Sequence, residues 1–201
     1  MRSSVWMAVG LISLGSVVGG QEGQKPPKMS PEEAAMMAKW HAFMTPGEGH
    51  KLLAAKVGTW TGNVSIWTAP GTPPATSVGT STYEMILDGR YLEDRTQGTF
   101  MGMPFAARGL TAYDNMKQKY TAIWIDTMGT GIMTMEGTYD AAKKTLSWTS
   151  MAPDVMTGTY KPMKSSETYS DPDHFKMESW SQTPDGKGWW KSMEIDFTRK
   201  K

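Results

Sequence analysis

The stretch His50-Lys51-Leu52-Leu53-Ala54-Ala55-Lys56-Val57-Gly58-Thr59-Trp60-Thr61-Gly62 is where the chain changes its hydrophobic period. Up to Gly58 the apolar residues recur at helical spacing; from Gly58-Thr59-Trp60 onward they alternate, so a short helix hands over to a first strand. Everything after Trp60 reads as β-structure. Runs of alternating residues lie near 59–68, 77–87, 90–100, 105–113, 119–127, 131–139, 145–151, 157–161, 167–170, 175–182 and 189–198. They are punctuated by Asp88-Gly89, Asp114-Asn115, the segment 140–144 and Asp185-Gly186, which are hairpin turn signals. About ten strands joined in sequence without crossover helices predict an all-β fold, a closed antiparallel up-and-down β-barrel. Closure removes the unpaired edges of so long a sheet and leaves room inside for side chains or a small ligand. An open sandwich is the alternative.

Working back from the first strand, Ser30-Pro31-Glu32-Glu33 and Thr45-Pro46-Gly47-Glu48 each place a hydroxyl at an N-cap, Pro at the first helical position and Glu at the third. They predict an N-terminal helix within residues 30–45 and a second short helix opening the barrel domain, residues 46–201. On the first helix Met36 or Met37, Trp40 and Met44 share a stripe, which predicts docking against the barrel. Residues 21–29, with Pro26 and Pro27, read as a flexible leader. Residues 1–20 read as a signal peptide: Arg2, an apolar run from Val5 to Val18, and small residues before a cut at Gln21. That run is too short and too rich in Gly and Ser for a membrane span, so no integral membrane segment is expected after cleavage. A secreted or periplasmic location follows.

Composition narrows the partners. The chain has 201 residues, 39% hydrophobic and 20% charged, enough for one core. It has no cysteine, so packing alone must hold it, and a thioether-linked lipid is excluded. Cleavage would remove only Arg2 from the charged residues, leaving 20 basic and 20 acidic, and the longest basic run is Arg199-Lys200-Lys201. Nucleic acid is therefore not an expected partner. Nothing in the sequence sets the oligomeric state.

The ordered set His50-x-x-Leu53, Val57-Gly58-Thr59-Trp60, Leu87-Asp88-Gly89-Arg90-Tyr91-Leu92, Tyr113-Asp114, Trp124 to Gly131, Gly137-Thr138-Tyr139-Asp140 and Met193-Glu194-Ile195 resembles the bacterial domain of unknown function family 1579. The likeness covers about residues 47–199. It implies a calycin-type, lipocalin-like barrel in which the Trp of the first strand closes the floor against a basic residue of the last, here Trp60 with Arg199 or Lys191. It implies no established activity. Two relatives of such barrels, nitrobindin and the fatty-acid-binding proteins, hold haem and lipid. The axial histidine of nitrobindin lies late in the chain, and here the late histidine is His174 in Asp171-Pro172-Asp173-His174, which does not match that motif; no cofactor is expected.

Eighteen methionines are the least ordinary feature. Met101-Gly102-Met103 and Met133-Thr134-Met135 put two sulfurs on one side of a strand. This pattern suits an adaptable apolar lining, or alternatively a thioether copper(I) site. His41, His50 and His174 lack the spacing of a zinc site, and no Gly-x-Ser-x-Gly is present. Among Arg90, Glu93, Arg95, Arg108 and Asp126, alternation sends most to an outer face; Asp126, on the same side as Trp124, is the exception. The expected lining is Met85, Phe105, Trp124, Met133, Met135, Trp148, Met177 and Met193, with Arg108 and Asp126 orienting a small hydrophobic or amphipathic ligand. A barrel enzyme, an isomerase or hydrolase using Asp126 or Glu93 with Arg95 or Arg108, and a filled structural barrel are the other classes. Exported protein should begin near Gln21 on N-terminal sequencing; an intact Met1 would rule out cleavage.

Overall fold

The computed structural model describes residues 29–201; the signal-peptide reading and nearly all of the leader lie outside them. Two helices, α1 (Pro31–Met44) and α2 (Glu48–Ala55), precede ten strands: β1 (Gly58–Ile66), β2 (Ala75–Ile86), β3 (Tyr91–Phe100), β4 (Met103–Asp114), β5 (Lys119–Asp126), β6 (Met133–Asp140), β7 (Thr145–Asp154), β8 (Thr159–Asp171), β9 (His174–Gln182) and β10 (Trp189–Arg199). Each strand pairs antiparallel with its sequence neighbours, and β1 pairs with β10 to close the barrel. One difference from the alternation is that residues 159–161 of the run 157–161 and the whole run 167–170 are parts of the single strand β8, with 157 and 158 in the turn before it. Its middle residues, Pro162 to Ser166, break the apolar alternation, but they pair with β7 throughout.

Closure is built around the Gly-x-Trp. Register sets Trp60 opposite Arg199. The guanidinium lies 4.1 Å over the indole, which is 2% exposed. The indole N–H donates to the Lys56 carbonyl at 2.8 Å, and the ring meets Phe175 edge-on at 4.8 Å. Arg199 also donates to the carbonyls of Ala55, Val57 and Pro172, tying the last strand to the turn between α2 and β1. Gly58 is required at that point: its φ is +128°, and a Cβ would stand 2.8 Å from Arg199 Nη1. Lys191, the other cation considered for the floor, pairs with Glu178 and Glu194 on the outer wall instead.

Helix α2 lies across the same end of the barrel. Leu53 is 1% exposed, and the Tyr120 hydroxyl donates to the Gly49 carbonyl at 3.0 Å. The expected cap at Thr45 is not formed. Thr45 instead ends α1, bonding back to His41, and α2 starts after Gly47, whose N–H donates to His50 Nδ1 at 3.0 Å. Burial, and then the Arg90 charge, lowers the His50 pKa, which keeps that nitrogen free to accept.

The docking expected for α1 is also corrected. No residue of α1 is buried, and Met36, Met37, Trp40, Phe43 and Met44 stay exposed. Its tie to the barrel is at its C-terminal end, where Asn115 Nδ2 donates to the carbonyls of Ala42, Phe43 and Thr45. Those free carbonyls need a donor, and the β4–β5 hairpin supplies it. Because Trp60 fills the closed end, Trp60→Ala should lose about 3–5 kcal/mol in chemical denaturation; Arg95→Ala, on the outer wall, should lose under about 1 kcal/mol.

Candidate functional site in the barrel lumen

Alternation within each strand decides what faces inward. From the floor upward the lumen is first aromatic: Trp60, Tyr83, Tyr120, Phe175 and Phe197 pack with Leu92 and Leu146. Above this plug sits a polar layer. Lys56 Nζ is 2.7 Å from Glu167 Oε2, and the two side chains are only 9% and 12% exposed. Glu167 also accepts from the Tyr169 hydroxyl at 2.7 Å and from the Trp148 indole N–H at 3.2 Å. Burial alone would raise the Glu167 pKa, but the Lys56 charge and these hydrogen bonds outweigh it and hold the carboxyl below its usual value. Lys56 is further sandwiched near the rings of Tyr83 and Phe175, at 4.6 and 4.9 Å.

Asp94 completes the layer. It sits opposite Tyr83 in the β2–β3 register and accepts from the Thr96 hydroxyl at 2.9 Å; Thr96 in turn lies 2.6 Å from Ser81 Oγ. Burial raises its pKa from the ordinary 3.8 to about 6, although the Lys56 charge and the Thr96 bond pull the other way. Its neighbour Tyr83 is pushed well above its usual value, by burial and then by the Asp94 and Glu167 charges. Higher in the lumen Ser165 and Ser179 face each other across β8 and β9, and Ser179 Oγ, on a residue 1% exposed, has no hydrogen-bond partner. A buried hydroxyl without a partner costs about 1–3 kcal/mol, so an orphan of this kind marks a place where a water or a ligand group belongs.

The residues expected to line the site divide by pleat. Met85, Phe105, Trp124, Met133, Met135, Trp148, Met177 and Met193 share the pleat of buried or core-packed neighbours, so they face the lumen; Trp148 is 6% exposed and the others are half-buried. Asp126 faces the lumen at its far end, where both oxygens are taken, one by the Trp124 indole N–H at 2.9 Å and one by the Met128 amide at 2.8 Å.

Arg108 does not join them, which corrects that expectation. Its neighbour Ala107 is buried, so Arg108 points outward, 3.0 Å from Glu93, which also holds Arg95 at 2.5 Å. The same outward trio removes Glu93, Arg95 and Arg108 from any interior acid–base pair. Met101 and Met103 are not a strand pair either, because Met101 lies in the β3–β4 turn with a φ of +49°. Among the described residues no group of three or more His, Cys, Asp or Glu side chains is placed to hold a metal ion.

Asp94, Glu167 and Lys56 were not singled out from the sequence. For Asp94 a signal was present: it stands two residues from Leu92, so it shares that residue's inward pleat despite lying in Glu93-Asp94-Arg95. Two open grooves lie on the outer wall. One, of about 740 Å³, is bounded by Leu110, Ile123, Met151, Lys164 and Trp189, and a smaller one, of about 230 Å³, by Ile86, Arg108 and Ile125.

Asp94 gives a test of the layer. Its folded pKa lies above the ordinary one, so its contribution to stability is complete below about pH 4 and is lost as the pH rises through 6. Asp94→Asn should remove that loss. The stability of the variant relative to wild type should rise by about 3 kcal/mol between pH 4 and pH 7, read from denaturation curves at both values.

A family model for proteins of unknown function, DUF1579, matches residues 45–199. No curated protein matches the chain. Among solved structures it is similar to the crystal structure of Rv2717c from M. tuberculosis, with a TM-score of 0.57 and 14% identity, covering 78% of this chain and 100% of that one, a likeness of fold. A redesigned beta barrel, at 15% identity and covering 75% of this chain and 96% of its own, has a TM-score of 0.37. The matched segment runs from the end of α1 through the closing residue of β10, and the chain belongs to the DUF1579 family of proteins of unknown function.

Proposed function

We propose that this is an exported, calycin-like binding protein, secreted or periplasmic, whose barrel lumen takes a small hydrophobic or amphipathic molecule. The observation that carries the reading is an inward-facing set of methionines and Trp124 that keep part of their surface accessible above a closed aromatic floor. Methionine suits such a lining because its unbranched, polarizable chain adapts to ligands of varied shape. Apolar burial would then supply most of the affinity, at about 25 cal/mol per Å² removed from water. The polar layer would set orientation.

Catalysis is the weaker reading. Asp126 has both oxygens committed, and Lys56 and Glu167 are paired with each other, so among the described interior carboxyls Asp94 alone is left to act as a base. A copper(I) site at Met133 and Met135 competes with the lining role for the same side chains.

Protein purified from its own host should carry a bound small molecule in native mass spectra. Replacing Met133 and Met135 with Leu should leave binding of an environment-sensitive apolar dye within about threefold, since volume and hydrophobicity are nearly kept. Copper(I) binding that is present in wild type and lost in the double variant would support the metal reading instead. A wild type that binds neither dye nor copper(I) would favour a filled barrel.

A further inference from the structure

The charges of the lumen do not balance. Lys56 is held by Glu167 at 2.7 Å, so that pair is neutral as a unit. Asp94 has no ion-pair partner among the described residues; its hydrogen bond comes from the neutral Thr96 hydroxyl. The Tyr83 hydroxyl and the Lys56 charge also favour its ionised form, but neither is an ion pair with it, and a carboxylate has about four lone-pair sites, more than two hydroxyls fill. Around it stand Ser81 and Thr96 as further hydroxyls, and the faces of Tyr83 and Phe175, which already attract the Lys56 ammonium. The half-buried side chains of Met135, Met177 and Trp124 lie on the same inward pleat, toward the other end.

We propose that the lumen selects molecules carrying a protonated amine on an apolar body, with the amine seated on the Asp94 carboxylate beside Thr96 and Ser81 and the body against Met135, Met177 and Trp124. This rests on the lumen-binding reading above and names its ligand class. An ammonium brings the close counter-charge that Asp94 lacks, and it supplies the one positive charge that neutralises the layer. A carboxylate head meets the opposite situation: the cation it would seek is already bound to Glu167, and Asp94 repels it. The unpartnered Ser179 hydroxyl, in the same lumen, offers a second polar contact to a ligand that carries another polar group.

The test compares three probes of one chain length, dodecylamine, dodecanol and dodecanoate, by calorimetry at pH 7.5 on the mature chain and on Asp94→Asn. Asparagine keeps the shape and can still accept from Thr96, so the variant removes charge and not the fold; circular dichroism and a melting curve check this. Wild type should bind dodecylamine about ten- to a hundredfold more tightly than dodecanol, the range expected of a hydrogen bond to a charged group, with dodecanoate weakest. In Asp94→Asn the amine's advantage should fall to within about threefold, with dodecanol unchanged. Equal binding of all three probes, a preference for dodecanoate, or an amine preference that survives in the variant would overturn the proposal and leave lumen binding standing. Failure of wild type to bind any of the three would sink both.

Discussion

Trp60 lies between the Arg199 guanidinium on one side and Phe175 on the other, and that contact is where the first and last strands of the sheet become neighbours. Ten antiparallel strands left open would carry two unpaired edges; joining β1 to β10 removes both. The cation belongs to the last strand and the indole to the first, so the contact reads out closure directly. Arg199 reaches beyond the ring to the carbonyls after α2, which fastens the helical lid to the same corner. The glycine at 58 exists to leave room for that arginine.

Closing one end with aromatic residues sets the conditions for the layer above it. Burying an isolated charge costs several kcal/mol, and Lys56 with Glu167 meets that cost through a close pair, two further hydrogen bonds to the carboxylate and two ring faces for the ammonium. Asp94 has no ion pair, and burial outweighs the Lys56 charge and the hydroxyl bonds that favour its ionised form, so its pKa is raised to about 6 and it stands out as the reactive-looking group of the lumen. The orphan hydroxyl of Ser179 belongs to the same picture of an interior whose polar groups are only partly satisfied from within.

Helix α1 shows how a local signal and a tertiary outcome separate. Its capping box is formed as the sequence indicates, with Ser30 accepting from the Glu33 amide and Glu33 from the Ser30 amide. The apolar residues on it, by contrast, find no surface. Met36, Met37, Trp40, Phe43 and Met44 fall on one side of the helix and yet all stay exposed, and what ties the helix to the barrel is the set of hydrogen bonds Asn115 makes to its C-terminal end.

The strand order, the closed barrel and the shared pleat of Met133 and Met135 were legible in the sequence, because a period of two and hairpin turns are local properties of the chain. The pairing of Trp60 with Arg199, and not Lys191, came from the family resemblance and was decided by the register, and the inward side of Trp148 was not readable from alternation. Arg108 was misread for want of its neighbour: only the burial of Ala107 tells which pleat of β4 faces in. Lys56, Glu167 and Asp94 could not be joined from the chain, since Lys56 and Glu167 are 111 residues apart and nothing in either segment names the other. The sequence determined the barrel and the composition of its two faces. The tertiary structure decided which charges were buried together and which was left without a counter-charge, because a carboxyl's environment depends on what closure brings across the lumen, and that distance is not written in the spacing of residues along a strand.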